Sequence, residues 1–273
     1  VTHRDLESGP LVYRQRLATR LTHWAWAICL FFLLLSGLQI FMARPDLYLG
    51  QQSGFEFDNT ILSIGAAFDG STLTGRTVVF GHAFDTTGWL GAVWNADGNL
   101  ERRSFPQWAT IPGYRDLATG RVVHFFFAWG LVLTLAIWLA ASLVNRHIRQ
   151  DLLPSKADLK ALPRDIADHA RLRFRHEGRY NVLQKLSYGG VLFVALPLII
   201  LTGLTMSPGV NAAAPWMLDL FGGRQTARTL HFGVMLALLA FFVVHVAMVL
   251  LAGPFNEMRS IVTGWYRTDP ESE

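Results

Sequence analysis

Four of the nine histidines, His23, His124, His231 and His245, lie within stretches that contain no Asp, Glu, Lys or Arg. There are four such stretches, residues 21–43, 122–145, 186–212 and 229–256. An ionisable side chain at membrane depth is costly and marks a functional position, and imidazole is the commonest metal ligand. His231 and His245 are fourteen residues apart. At about 100° per residue, both imidazoles fall within roughly 40° of one helix face and about 21 Å apart along the axis. One helix then offers one ligand near each end. A single intramembrane histidine is equally well explained by a hydrogen bond to a neighbouring helix. Four that pair by depth are better explained as ligands.

The elements that must position them follow from composition. Of 273 residues, 51% are hydrophobic and 16% charged, and the mean hydropathy is +0.29, which excludes an ordinary soluble globular protein. Each uncharged stretch is long enough to cross a bilayer, which takes about 20 apolar residues. The expectation is an all-α integral membrane protein: a four-transmembrane-helix bundle with a long extracytoplasmic loop between helices 1 and 2. The chain reads as a single domain, 1–273, with spans at about 20–43, 121–145, 184–207 and 226–252, a periplasmic cap at 44–120 and a cytoplasmic loop at 146–183. Residues 1–20 are polar and the first apolar run is long enough to stay as an anchor, so no cleaved leader is expected.

The net charge of +4 does not point to nucleic acid, because the basic residues flank the spans. Arg4, Arg14, Arg16 and Arg20 precede the first. Arg146, Arg149, Lys156, Lys160, Arg164, Arg171, Arg173, Arg175, Arg179 and Lys185 lie between the second and third. By the positive-inside rule both segments face the cytoplasm, and with four spans so do both termini. The setting is a bacterial inner membrane, with lipid as a partner.

Within the cap, a short amphipathic helix is expected around Ile61–Phe68 and a hairpin at GAVWNADGNLERRSF, where Asp97-Gly98 supplies the turn. Trp89, Trp94, Phe105 and Trp108 mark it as folded and as a docking surface, with Arg102 and Arg103 as its charged rim. In the cytoplasmic loop Leu159, Leu162, Ile166, Ala170 and Phe174 recur at helical spacing, as in a helix lying on the membrane surface. Pro197 should kink the third span.

This topology pairs the histidines. His23 opens span one and meets His245, while His124 opens span two and meets His231. Two bis-histidine sites fit two haem b groups, held without covalent attachment because the lone Cys29 permits no CxxCH motif, disulfide or Cys-rich cluster. Gly37, Gly130 and Gly233 would admit a flat macrocycle, and Arg16, Arg20, Arg121 and Arg228 stand where propionates would emerge. His3, His82, His147, His169 and His176 lie outside the spans and read as solvated, His82 being the one to watch.

These features resemble the bacterial four-helix di-haem cytochrome b family that includes the membrane subunits of formate dehydrogenase-N and nickel-iron hydrogenase. The resemblance rests on the four histidines, GRYNVLQK before span three, and Met258 with Thr263-Gly264 after span four. FPQWATIPGYRDLATGRVVHFFFAW, LTGLTMSPG and FGGRQTARTLHF are similar to the subgroup called thiosulfate reductase cytochrome b subunit. The resemblance implies an electron-transfer subunit rather than the catalytic one. It further implies a periplasmic oxidoreductase partner, of the molybdopterin sulfite-oxidase type, and a quinone (ubiquinone or menaquinone) near the inner haem. The long outer segment departs from the formate dehydrogenase and hydrogenase members, so their iron–sulfur partners are not carried over. The matching quinone-site residues are Asn181 and Gln184, with Tyr180 nearby; the same Asn-x-x-Gln spacing also reads as a helix capping box. A reading of another class is a self-contained quinol-linked reductase or oxidase acting at the outer haem.

Overall fold

The computed structural model describes residues 9–54, 57–171 and 180–268. In chain order its elements are β1 (Leu11–Tyr13), α1 (Leu17–Phe41), β2 (Asp46–Tyr48), β3 (Thr60–Asp69), β4 (Thr72–Val79), β5 (His82–Asp85), β6 (Ala92–Trp94) and β7 (Leu100–Arg102). There follow α2 (Leu117–Val144), α3 (Lys156–Ala170), α4 (Val182–Gly190), α5 (Leu196–Met206), α6 (Pro208–Ala213), α7 (Trp216–Leu220), α8 (Arg224–Leu251), α9 (Pro254–Thr263) and β8 (Trp265–Arg267). Among the described residues, four helices are long and apolar enough to cross a membrane: α1, α2, Val182–Met206 and α8. They begin at residues 17, 117, 182 and 224, a few residues before the apolar runs, because each extends through a polar first turn. In α2 the cause is visible. Asp116 accepts from Thr119 N and Oγ1 at 3.0 and 2.6 Å, satisfying a first-turn donor, and these bonds hold its carboxyl below the usual range.

Span three is interrupted. A π-helical turn at Val191–Ala195 joins α4 to α5 just before Pro197, whose missing N–H and bulky ring disrupt the α ladder. The expected kink takes this form. α3 covers Leu159, Leu162, Ile166 and Ala170, while Phe174 lies outside the described residues, as do Arg173, Arg175 and Arg179.

The chain divides into two units. The cap-bearing unit comprises Ala27–Val132 and Leu198–Met235. Its cap is β-rich: a four-stranded antiparallel sheet in the order β2-β3-β4-β5, and the hairpin β6-β7. The helix expected around Ile61–Phe68 is strand β3 instead. Thr60, Ile61 and Ile64 favour extended backbone, and Asp69 and Gly70, the glycine at φ +60°, turn the chain so that Leu62 to Asp69 pair with Val79 to Thr72. The hairpin at Asp97-Gly98 forms as expected, with Gly98 at φ +76°. Phe41, Leu47, Ile64, Phe105 and Ala109 form the buried core of this unit. Phe105 is therefore core rather than docking surface. Arg103 is also buried, donating to Phe105 O at 2.8 Å and Thr110 Oγ1 at 2.7 Å, so it serves the cap's interior and not a charged rim.

The termini-bearing unit comprises Val1–Trp26, Leu133–Pro197 and Leu236–Glu273. Here β1 and β8 pair antiparallel, tying the two ends of the chain together. At Gly264, φ +91°, a Cβ would stand 2.5 Å from the Tyr13 ring and 2.8 Å from Gln15 O. Only glycine fits that turn. Lys185 Nζ lies 2.8 Å from Asp158 Oδ2, joining α4 to α3 and holding the Asp158 carboxyl down at about 2. His147 departs from expectation: it is buried, with Nδ1 2.6 Å from Asp151 Oδ2, so it pairs within its own helical turn instead of facing solvent.

Candidate functional site

In the cap-bearing unit, α2 carries His124 and α8 carries His231, and their ring centres are 6.4 Å apart at 58°. In the termini-bearing unit, α1 carries His23 and α8 carries His245, with ring centres 6.3 Å apart at 56°. The structure thus brings together the pairs that the topology suggested.

The separation is itself informative. A metal–imidazole bond is about 2 Å and a ring nitrogen lies about 1.1 Å from its ring centre, so two imidazoles on opposite sides of one metal ion have centres about 6.3 Å apart. A direct hydrogen bond between rings would draw them closer. Among the described residues no group of three or more His, Cys, Asp or Glu side chains is placed to hold an ion. Each pair would hold a metal through two imidazoles only, with its other donors supplied by a non-protein ring such as haem, which would bring reversible one-electron chemistry.

The residues behind His124 and His231 repeat. Ser36 Oγ lies 3.1 Å from His124 Nδ1, and Thr202 Oγ1 lies 3.1 Å from His231 Nδ1. Next to each hydroxyl sits a glycine. A Cβ on Gly37 would be 3.3 Å from His124 Cε1, and one on Gly203 would be 3.2 Å from His231 Cε1. The sequence signal for this pattern is the recurrence of LSGL at 35–38 and LTGL at 201–204, which reasoning from histidine spacing alone does not reach. Gly130 packs against Cys29 Sγ, where a Cβ would be 3.3 Å away, so it serves helix packing; Gly233 is exposed, and a Cβ there would meet nothing within 4 Å.

The second pair is held differently. His23 Nδ1 is buried with no hydrogen-bond partner among the described residues. His245 stacks on Phe241 at 5.7 Å and meets the Tyr188 ring edge-on at 6.5 Å. Tyr188 in turn packs against Tyr180, whose hydroxyl exchanges hydrogen bonds with the Gln15 amide at 2.8 and 2.9 Å. Arg14 lies over the Tyr180 and Tyr266 rings and 3.8 Å from Glu257. Burial pushes the Tyr180 hydroxyl up, and Arg14 and Gln15 partly offset this.

The arginines expected near propionates are variously engaged. Arg228 donates to the backbone carbonyls of Asp46, at 2.8 Å, and Arg44, which commits its terminal nitrogens to the cap. Arg20 donates to Val262 O, but its buried Nε has no partner among the described residues and remains a donor for an anion. Arg16 donates to Asn145 O, and Arg121 lies over the Phe125 ring. Asn181 and Gln184 form the capping box of α4: Asn181 Oδ1 accepts from Gln184 N at 2.8 Å, and Gln184 Oε1 accepts from Asn181 N at 3.2 Å.

Residues 154–264 match the family model of prokaryotic cytochrome b561. The chain is 28% identical over 236 residues, 85% of its length and 87% of the relative's, to a protein of Azospira oryzae named as a putative protein-methionine-sulfoxide reductase subunit, YedZ1. On both counts the chain is similar to membrane cytochromes of b type. Haem b is the cofactor that this family implies, and electron transfer its role. The fit of the residues is specific: two imidazole pairs at metal-bridging separation, an orphaned imidazole nitrogen at His23, and glycines against the His124 and His231 rings.

Proposed function

We propose that this cytochrome is the di-haem membrane subunit of a larger oxidoreductase, carrying electrons from the quinone pool to a partner protein docked on the cap. The observation behind this reading is the pair of metal-bridging separations, 6.3 Å for His23 and His245 and 6.4 Å for His124 and His231. Haem b bound between each pair supplies reversible one-electron chemistry. The chain's own residues hold the axial nitrogens in place, and the apolar helix walls keep water from them. His231 and His245 are fourteen residues apart on α8.

The basic residues around the first span and between the second and third support both termini on the cytoplasmic side of a bacterial inner membrane, with the cap outside. The whole of 1–273 then acts as one membrane domain. Quinone, ubiquinone or menaquinone, would bind near His23 and His245, a reading supported by the family resemblance at Asn181 and Gln184 and by the polar Tyr188–Tyr180–Gln15 array. The relative from Azospira oryzae is named as a subunit of a protein-methionine-sulfoxide reductase. On that likeness the partner is a reductase acting on oxidised methionine in proteins, and electrons run outward from quinol. The motif resemblance supports a molybdopterin subunit of the sulfite-oxidase type. A self-contained reductase at the outer haem is disfavoured, since both imidazoles of that pair would be taken up in holding the haem.

The test is haem quantification with a reduced-minus-oxidised spectrum of the purified chain. Two haems per chain are expected. His124→Ala and His231→Ala should lose the same one, and His23→Ala and His245→Ala the other; loss of the same haem from the His23 and His231 variants overturns the pairing.

A further inference from the structure

The hydroxyls behind His124 and His231 can each be assigned a direction. Ser36 Oγ lies 2.6 Å from Phe32 O, and Thr202 Oγ1 lies 2.7 Å from Leu198 O, each the carbonyl four residues earlier on its own helix. A hydroxyl has a single proton, and in both residues it goes to the helix's own backbone, with the shorter bond to that carbonyl and a longer contact to the one three residues earlier, Leu33 O at 3.4 Å and Ile199 O at 3.1 Å. The oxygen that faces the imidazole at 3.1 Å then accepts, sharing the Nδ1–H with a backbone carbonyl three residues before each hydroxyl, that of Leu33 for His124 and that of Ile199 for His231. His124 and His231 therefore carry their protons on Nδ1 and present bare Nε2 atoms. Both hydroxyl residues are fully buried, at 0% exposure, so water does not compete for these bonds. His23 Nδ1 has no such acceptor among the described residues.

We propose that Ser36 and Thr202 are positioning residues for the His124/His231 centre. They fix the tautomer and rotation of both axial imidazoles and, by accepting from Nδ1–H, make them stronger donors to iron, which holds this centre at a lower reduction potential than its ligands alone would give. The physical basis is general: an acceptor on the far nitrogen of a metal-bound imidazole raises its basicity and stabilises the more oxidised metal. The effect is confined to one of the two centres. The inference rests on the di-haem reading above, and its test separates the two.

The experiment is a redox titration of the purified full chain, monitored by optical and electron paramagnetic resonance spectra, on the wild type and on Ser36→Ala and Thr202→Val. Each variant should keep two haems. The potential of one haem should rise in each, by enough to change its ferrous-to-ferric ratio at fixed ambient potential several-fold. Its low-spin g values should move with the freed imidazole plane, while the other haem stays at its wild-type potential. Ser36→Thr and Thr202→Ser keep the hydroxyl and should titrate like the wild type. Two haems at unchanged potentials in both Ser36→Ala and Thr202→Val overturn the inference while leaving the di-haem reading intact. A wild-type chain holding fewer than two haems overturns that reading and this inference with it. If Ser36→Ala or Thr202→Val loses a haem, restoration of content and potential by the hydroxyl-retaining exchange supports the assignment, whereas equal loss in that exchange makes the position one of packing alone and overturns it.

Discussion

Gly203 and His231 are so close that a Cβ on the glycine would stand 3.2 Å from the imidazole Cε1, and Gly37 stands in the same relation to His124 at 3.3 Å. Both distances are tighter than an ordinary carbon–carbon contact. The imidazoles can yield only by rotating about χ, which would lengthen the 3.1 Å contacts to Thr202 and Ser36. Gly203→Ala and Gly37→Ala should therefore each displace one axial ring. The expected outcome is a changed low-spin spectrum, or reduced occupancy, of a single haem, the same one in both variants. Disturbance of different haems by the two would contradict the shared centre.

The Asp158–Lys185 pair gives a pH signature. With the Asp158 carboxyl held at about 2, below its ordinary 3.8, the charged form is favoured in the folded chain. The stabilisation is thus fully present above pH 3.8 and is lost as pH falls through about 2. Asp158 is partly exposed, so the contribution is modest, on the order of 0.5–1 kcal/mol. Asp158→Asn should lower the thermal midpoint in detergent by a constant amount above pH 4, and the difference should close near pH 2. A difference that persists at pH 2 would locate the effect in packing of α3 rather than in the charge.

Asn181→Ala removes half of the α4 capping box and should cost about 1 kcal/mol of stability. If the amide also meets quinone, the rate of haem reduction by quinol should fall with both haem spectra unchanged. Stopped-flow reduction set beside a thermal melt distinguishes the two: a lower melting point with normal kinetics assigns Asn181 to the cap of the helix alone.

Much of this arrangement is legible in the sequence because membrane burial makes a few patterns unambiguous. Uncharged runs of span length are rare outside membranes, and a histidine within one is too costly to persist without a role. Helix periodicity plus alternating direction is then sufficient to pair His23 with His245 and His124 with His231. The departures from expectation have a common cause. Ile61–Phe68 is apolar at spacings compatible with either helix or strand, and the Asp69-Gly70 turn that decides the matter lies just beyond it. Residue type alone suggests surface or anion-binding groups for Arg103, Arg228 and His147. Their partners are a carbonyl and a hydroxyl in the same loop, carbonyls from β2 and its approach, and a carboxylate four residues on, which no composition reveals. Ser36 and Thr202 are marked only by the recurrence of LSGL and LTGL, because a hydroxyl in an apolar helix usually bonds its own backbone, as these also do.

The cap has two tasks that mutation can separate. One is structural. Gly50 O accepts from Gln225 N and Thr226 N at 3.0 and 3.3 Å, Gly50 N donates to Thr226 Oγ1 at 2.7 Å, and Thr229 Oγ1 donates to Tyr48 O at 2.7 Å, so the chain around β2 caps the first turns of α8 ahead of His231. The hairpin β6-β7 and the segments flanking it take no part in those bonds, yet they carry Trp89, Trp94 and Trp108 at 75%, 58% and 80% exposure, with exposed Arg102 in β7. Exposed tryptophans with an arginine are the composition of an interface centre, and each anchor of this kind is commonly worth about 2 kcal/mol in binding, or about thirtyfold in affinity. Trp89→Ala and Trp108→Ala, and replacement of residues 95–99 by a short Gly-Ser linker, should leave haem content unchanged and reduce co-purification of the proposed reductase partner. Arg228→Ala should instead weaken the hold of the cap on α8 and lower the occupancy of the His124/His231 haem. If the tryptophan variants retain the partner at full affinity and the His124/His231 haem becomes reactive toward small oxidants, the hairpin is a lid over that centre, and docking lies elsewhere on the chain.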